Sequence, residues 1–381
     1  MLKFYQTNLE SQLGASDYID YIFLQILLNV LQAVKKVSIE ALASALPIPI
    51  MFESRRKKLQ RFLLLPNFTI ENIWISIIKE WLSQTFEKGE VVNIAIDRTN
   101  WGLINILMVV VIWKKRAIPI YFELLGKLGS SNLGEQTAIF SKVIPILKDY
   151  KICVLGDREF CSVKLASWLS ERKISFCLRL KKSNFVEKEV GIWTELSELG
   201  LHEGLSIFLE GVKVTKTKNI KSFNLACKWK RKTGGFSQKE GWFILTDLTL
   251  KLAIERYKQR FDIEEMFRDF KKGGYNLEST KVSGKRLISL LLLISLAYLS
   301  ATIEGQSIKQ KGIQKYVGRV RETGRTERRH SCFYIGLYGH TWVNFVSNCG
   351  ALVEELLRLA PNKLTYYQRG KRAMQLVMST F

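Results

Sequence analysis

At 381 residues the chain is long enough for two or three domains with cores of their own. Hydrophobic residues make up 47% and charged residues 24%, which excludes an intrinsically disordered chain. The charge is lopsided: 58 Lys+Arg against 35 Asp+Glu leave a net +23, a surplus that repels itself on folding and points to an extended polyanion as partner, since acidic residues serve solubility better and no basic amphipathic helix suggests a membrane surface.

The opening MLKFYQTNLESQ has no apolar core and no cleavage site, which reads against a secretory leader. Residues 1–88 read as a helical domain. DYIDYIFLQILLNVLQAVKK carries apolar residues at helical spacing, and SIEALASAL follows with Ser38 as N-cap. ESRRKKLQRFLLLP and TIENIWISIIKEWLSQTF complete four helices, the third stopped by Pro66. That third helix is basic (Arg55, Arg56, Lys57, Lys58, Arg61). A small DNA-binding bundle and a plain bundle with one solvated basic face fit it equally well.

Over 89–181 the pattern changes to an α/β core. VVNIAID, INILMVVVIWK and AIPIYFELL are Val- and Ile-rich strands. EQTAIFSKVIPILKDY is helical, ICVLGD a strand, FCSVKLASWLSERK a helix and ISFCLRL a strand. Three adjacent strands followed by alternating helix and strand predict a mixed sheet with helices packed on it. Residues 182–241 are Lys-rich with short alternating stretches (VKVTKTK, FNLACKWKRK), which predicts a β-rich insertion with an exposed basic face. The core resumes over 242–304 with the strand GWFILTDL, a long helix over about 251–272 ended by Gly273 and Gly274, and an apolar helix at 287–303. The apolar run 287–301 is shorter than the ~20 residues a bilayer needs and Glu304 closes it, so a buried helix is expected. Residues 305–381 form a basic tail with further helices, including GALVEELLRLA; its cations are Arg319, Arg321, Arg325, Arg328, Arg329, Arg369, Lys371 and Arg372. Six cysteines are scattered with no CxxC pair, which argues against a zinc ribbon and for small buried side chains in a reducing cytosol.

Two of the scarce aspartates, Asp97 after NIAI and Asp157 after ICVLG, fall at the C-terminal ends of predicted strands, where ligands of open α/β sheets cluster. Either alone is better read as a strand-end turn or an N-cap. Together on neighbouring strands they would repel, and a divalent cation such as magnesium removes that cost and gives the pair a use. The long helix contributes Tyr257, Arg260, Glu264 and Lys271. At about 100° per residue these four fall within roughly 60° of one another. Such a stripe suits a metal-and-phosphate site, with Glu264 on the metal, Arg260 and Lys271 on phosphates, and Tyr257 on a phosphate or on Glu264. An ordinary surface of i,i+3/i+4 salt bridges has the same spacing, and both readings stay open here. Glu265 and Asp269 lie off the stripe and are expected to be solvated or salt-bridged.

The sequence resembles the DDE transposases of bacterial insertion sequences, in the insertion-sequence-four family. IAIDRTNW is similar to that family's first-Asp motif, at Asp97, Arg98, Thr99, Asn100 and Trp101. LGDREF is similar to its second, at Asp157, Arg158, Glu159 and Phe160. YKQRFDIEEMFRDFK matches its Y-R-E-K signature at Tyr257, Arg260, Glu264 and Lys271, and ERRHSCFYIGL its R-R-x-S-x-F-x-x-G-L segment. Two departures stand out: the turn after Trp101 is short, and Tyr334 stands where a basic residue is commoner.

The resemblance implies an RNase H-like catalytic core, with which the strand order above is compatible. It also implies a cut-and-paste DNA transposase in which Asp97, Asp157 and Glu264 hold two magnesium ions, manganese substituting, with Asp97 bridging. Tyr257, Arg260, Lys271, Arg158 and Arg98 would meet DNA. In members with a hairpin intermediate an aromatic residue before the Y-R-E-K helix stacks on a flipped base, a role that falls on Trp242; a Trp packed at the strand start is the other reading. The implied partners are double-stranded DNA (element ends and target) and a second copy of the chain in the DNA complex, with no membrane and no small-molecule substrate. The implied location is the bacterial cytoplasm, at the nucleoid when DNA-bound. A tyrosine recombinase would need an H-x-x-R box, which neither His330 nor His340 begins, and three isolated histidines exclude a His-hydrophobic-His nickase. A stand-alone RNase H-like nuclease would lack the terminal basic regions. A domesticated transposase acting as a DNA-binding regulator would have an eroded triad.

Overall fold

Local chemistry sets the elements in chain order. The structure, a computed structural model, describes residues 15–215, 221–230, 240–312, 314, 317–319, 323, 330–342 and 345–369. The first helices are α1 (Ala15–Val34), α2 (Ile39–Ala45), α3 (Phe52–Phe62) and α4 (Ile75–Thr85), the last entered through a π-helical turn. Ser38 caps α2 as its position predicts, its hydroxyl accepting from Ala41 N at 3.2 Å. Then come β1 (Val91–Trp101), β2 (Ile104–Trp113), β3 (Arg116–Leu124), α5 (Leu133–Val143), β4 (Lys151–Gly156), α6 (Val163–Glu171) and β5 (Ser175–Arg179). The insertion supplies β6 (Phe185–Glu189), β7 (Ile192–Glu195), β8 (Ser206–Val212) and β9 (Phe223–Lys228). The last elements are β10 (Trp242–Thr246), α7 (Leu250–Tyr257), α8 (Asp262–Phe270), α9 (Gly284–Gln310), α10 (Cys332–Trp342) and α11 (Phe345–Arg358). The chain divides into two units, residues 78–267 and residues 1–77 with 268–381.

Residues 78–267 are built on one eight-stranded mixed sheet of order β3-β2-β1-β4-β5-β10-β9-β8. The meander β1–β2–β3 is antiparallel, β1–β4 and β4–β5 are parallel, and β10, β9 and β8 continue antiparallel. The expected α/β architecture is therefore present, with α5 and α6 packed against the strands and each other. The insertion joins this sheet more closely than its Lys-rich composition suggests. Its β9 pairs with β10 from Trp242↔Lys228 to Thr246↔Asn224, because Leu225, Ala226 and Cys227 are apolar enough to be buried; only β6–β7 forms a separate hairpin. The basic stretches at 216–220 and 231–239 lie outside the described residues.

The other unit is helical and centres on α9, which buries Leu287, Leu290–Ile294 and Leu296–Leu299. This helix is longer than the 287–303 expected. Glu304 does not close it, because its carboxyl accepts from Ser300 Oγ at 2.8 Å and burial raises its pKa, so it is accommodated within the helix. Of its most apolar window 78% is buried within the structure, as a core helix requires. Of the tail's cations, Arg321, Arg325, Arg328, Arg329, Lys371 and Arg372 lie outside the described residues.

Helices α9 and α10 touch backbone to backbone. A Cβ on Gly336 would collide with the Ala301 carbonyl, and one on Gly305 with the Cys332 carbonyl. Gly336→Ala gains about 1 kcal/mol of helix propensity. It nevertheless forces the helices apart at about 1–3 kcal/mol, so a net loss of stability is expected by urea unfolding. Gly350→Ala, in α11 where nothing lies within 4 Å, is the control and should be neutral or stabilising.

Candidate active site

The register of β1 against β4 brings the two aspartates together. Ile96 pairs with Gly156, so Asp97 and Asp157 are the next residues on adjacent parallel strands, where β4 ends. Gly156 is required there, since a Cβ would lie 2.9 Å from both Leu178 and Phe160 side chains. Asp97 is not at the end of its strand as expected. β1 runs on to Trp101, pairing with β2 down to Trp101↔Ile104, and the hairpin closes in the two residues Gly102-Leu103. Gly102 has φ +53, which a tight two-residue hairpin turn demands.

The Asp97 side chain is 15% exposed. Its Oδ1 accepts from Arg98 N at 2.7 Å, and its Oδ2 faces Arg260 Nη1 at 3.4 Å. Burial, then the charge of Asp157, push its carboxyl pKa up to about 7, against the pull of Arg260. Asp157 caps the 3-10 turn Arg158–Phe160, its Oδ1 accepting from Glu159 N at 2.8 Å.

The helix expected over 251–272 is not uniform. α7 and α8 are joined by a tightened 3-10 turn, Lys258–Phe261, which alters the angular spacing assumed for one regular stripe. Asn93 anchors this turn to β1, donating to Gln259 Oε1 at 2.9 Å. Arg260, 5% exposed, is ion-paired to both Asp97 and Glu264. Burial opposes its charge, yet Tyr257, Asp97 and Glu264 together hold its pKa above the ordinary value. Glu264 is 54% exposed, while Glu265 pairs with Arg116 at 3.7 Å. Lys271 lies past the end of α8 and pairs with Glu278 at 2.8 Å. Asp269, expected at a solvated or bridged position, is buried and accepts from the Tyr298 hydroxyl.

Three of the residues that the resemblance assigns to DNA are packed or ion-paired within the chain. Tyr257 is fully buried; burial raises its pKa, which neighbouring Arg260 and Arg179 lower in turn. Trp242 is 8% exposed and stacks on Phe261 at 5.8 Å, edge-on to Tyr257 at 5.1 Å, packed at the start of β10. Arg98 directs Nε to both oxygens of Glu159 at 3.1 Å and Nη1 to Asn105 at 3.0 Å. Glu159 also accepts from Ser131 N and Oγ, so the segments after the two aspartates are clamped to each other. Arg158 pairs with Glu240.

Arg179 was not singled out in the sequence. It ends β5, donates to Glu240 at 3.0 Å, and has a pKa lowered by burial and by the nearby Arg158 and Arg260. A lone cation in the otherwise apolar strand ISFCLRL was its only signal.

The donor chemistry fits a divalent cation. Asp97 and Asp157 are adjacent, and burial first, then the charge of Asp157, raise the Asp97 pKa, costs of the bare carboxylate that a bound cation would offset. Among the described residues no three His, Cys, Asp or Glu side chains are grouped closely enough to hold an ion. Glu264 is turned to Arg260, from which it must part to complete such a set.

Residues 119–300, slightly under half of the chain, match the family described as Transposase DDE domain. The match takes in Asp157, Trp242, Tyr257, Arg260, Glu264 and Lys271, and begins after Asp97 and Arg98. No protein of curated function matches the sequence. In fold the chain is similar to the piggyBac transposase in its synaptic complex with hairpin DNA, at a TM-score of 0.50 and 14% identity over 92% of this chain and 76% of that one. A similarity to Marinitoga piezophila Argonaute, in complex with 5′-OH guide RNA and target DNA, has a TM-score of 0.22 and 13% identity over 45% of this chain and 26% of that one, too slight for any inference.

Proposed function

We propose that this protein is a DNA transposase of the insertion-sequence-four family, which binds the ends of its element, cuts them by phosphodiester hydrolysis and joins them to target DNA by cut-and-paste strand transfer. The observation that carries this is the juxtaposition of Asp97 with Asp157 by strand register, with Arg260 linking Asp97 to Glu264. The transposase DDE domain match over 119–300 supports the same reaction class.

Asp97, Asp157 and Glu264 would hold two magnesium ions, which manganese could replace. Bound there, such ions activate the nucleophile and offset charge developing at phosphorus. The chain's own groups do the rest. Asp97 must be deprotonated to serve, and its pKa of about 7 places that loss in the neutral range. Arg260, once its carboxylates turn away, offers a rigid fork to the non-bridging phosphate oxygens, as Arg158 and Arg179 do if Glu240 yields. The Arg98–Glu159 clamp holds the two aspartate segments in register. Water attacks phosphorus and the 3′-oxygen leaves in the first step; that 3′-hydroxyl attacks in the next, at the opposite strand if hairpin ends form and later at the target. In this reading the protein works as a homodimer on paired ends in the bacterial cytoplasm, at the nucleoid.

Incubation with duplexes carrying the element's flanking ends and magnesium is the test. Double-strand breaks with hairpin ends are expected. Glu264→Ala should lose cleavage while duplex binding survives, and retained cleavage in that variant would overturn the assignment.

A further inference from the structure

The end of α3 is tied to the first turns of α9, where Ser289 Oγ donates to the Leu63 carbonyl at 2.8 Å. Almost one turn earlier on α9, Arg286 stands beside a hollow of about 310 Å³, lined otherwise by Ser54, Lys57, Gln60, Arg61 and Leu64. On α3 the residues 54, 57 and 61 recur at three- and four-residue steps, so they share one face, and Leu64 follows in the turn just past the helix. Three cations from two distant parts of the sequence thus converge on one cavity that no carboxylate lines. The Nε of Arg286 is buried without a hydrogen-bond partner among the described residues. Crowding of positive charge extends to the neighbouring Lys58, whose pKa is lowered by burial and by Lys363 and Arg61, with Asp20 pulling the other way.

We propose that this hollow is a phosphate-binding site that takes a backbone phosphate of duplex DNA, separate from the carboxylate centre. A tetrahedral oxyanion matches what lines it: two guanidinium forks, an ammonium, a hydroxyl and an amide, all able to donate. It resolves the convergence of cations and brings an acceptor to Arg286, which lines the hollow. The proposal rests on the DNA-binding reading above and adds to it a residue-level anchor outside the catalytic chemistry.

The full chain is titrated with a fluorescent duplex of unrelated sequence across a salt series. Lys57→Gln/Arg61→Gln, on an exposed helix face where folding is undisturbed, is compared with Arg286→Gln and with the charge-matched Lys148→Gln/Lys151→Gln. The hollow variants should lose about tenfold in affinity near 0.1 M salt, and the slope of log K on log salt should fall by roughly one, the signature of one lost phosphate contact. The control pair should bind within about threefold of the parent with its slope kept. At fixed ionic strength inorganic phosphate should compete with duplex on the parent and not on the hollow variants. Equal behaviour of hollow and control variants would overturn the site, and phosphate binding without any change in duplex affinity would overturn its assignment to DNA. A parent that binds no duplex and cuts no ends would instead count against the transposase reading.

Discussion

Asp97→Asn is expected to abolish strand cleavage and, without metal, to make the protein more stable. The two effects share a cause. Burial and Asp157 lift the Asp97 pKa from 3.8 to about 7. Between those values the folded protein keeps a proton that the unfolded chain has released, so stability falls as pH rises through that window and the full penalty is present above pH 7. An amide of the same shape removes the penalty. The gain should be on the order of 2 kcal/mol at pH 8, after allowing for the partner that Arg260 loses, and should fade towards pH 4. Thermal unfolding in chelator at pH 5 and pH 8 measures it, and an asparagine variant less stable than its parent at pH 8 would refute the account of a carboxylate penalised by burial and by Asp157.

Arg260→Ala should do the reverse. Its guanidinium is the buried cation facing Asp97, and its removal leaves that carboxylate beside Asp157 uncompensated. Breaking a buried pair from one side costs about 3–5 kcal/mol. The loss should be largest at pH 8 and shrink at pH 5, where Asp97 takes up a proton. Arg260→Lys should recover part of the stability, since it restores charge without the planar fork. Urea unfolding of both variants at the two pH values reads this directly, and a pH-independent loss would mean that packing of the long side chain, not its charge, is what Arg260 contributes.

How much was legible depended on whether a residue's neighbours in sequence are its neighbours in space. Asp97 and Asp157 could be found because each follows a short apolar strand, and parallel pairing then puts them together. The extension of β1 to Trp101 was hidden, since Thr99 and Asn100 look like turn residues and only pairing with β2 keeps them extended. Regular helix geometry separated Glu264 from Glu265 correctly in direction, one towards Arg260 and the other to Arg116, although the turn at 258–261 tightens. The clamp of Arg98 on Glu159 and the sharing of Glu240 by Arg158 and Arg179 join residues far apart in sequence, and no local pattern announces them. For Trp242 the sequence leaves two readings, a base-stacking ring and a Trp packed at the strand start, and the aromatic neighbours that cover it become visible only once α7 and the turn after it pack on β10.

The helical unit draws on both sides of the sheet-bearing segment, and this imposes an order on synthesis. Val37 N bonds to the Tyr275 carbonyl, Ser289 to Leu63, His340 to Asn29, and Tyr18 to Glu355. A ribosome therefore releases α1–α3 and must then make all of residues 78–267 before their partners exist. At ~5–20 residues per second that is a delay of roughly 10–40 s, during which Asn29, Val37 and Leu63 go without these partners. A chain cut short before α9 can carry both aspartates on their strands and still lack the helix that Leu63 docks on.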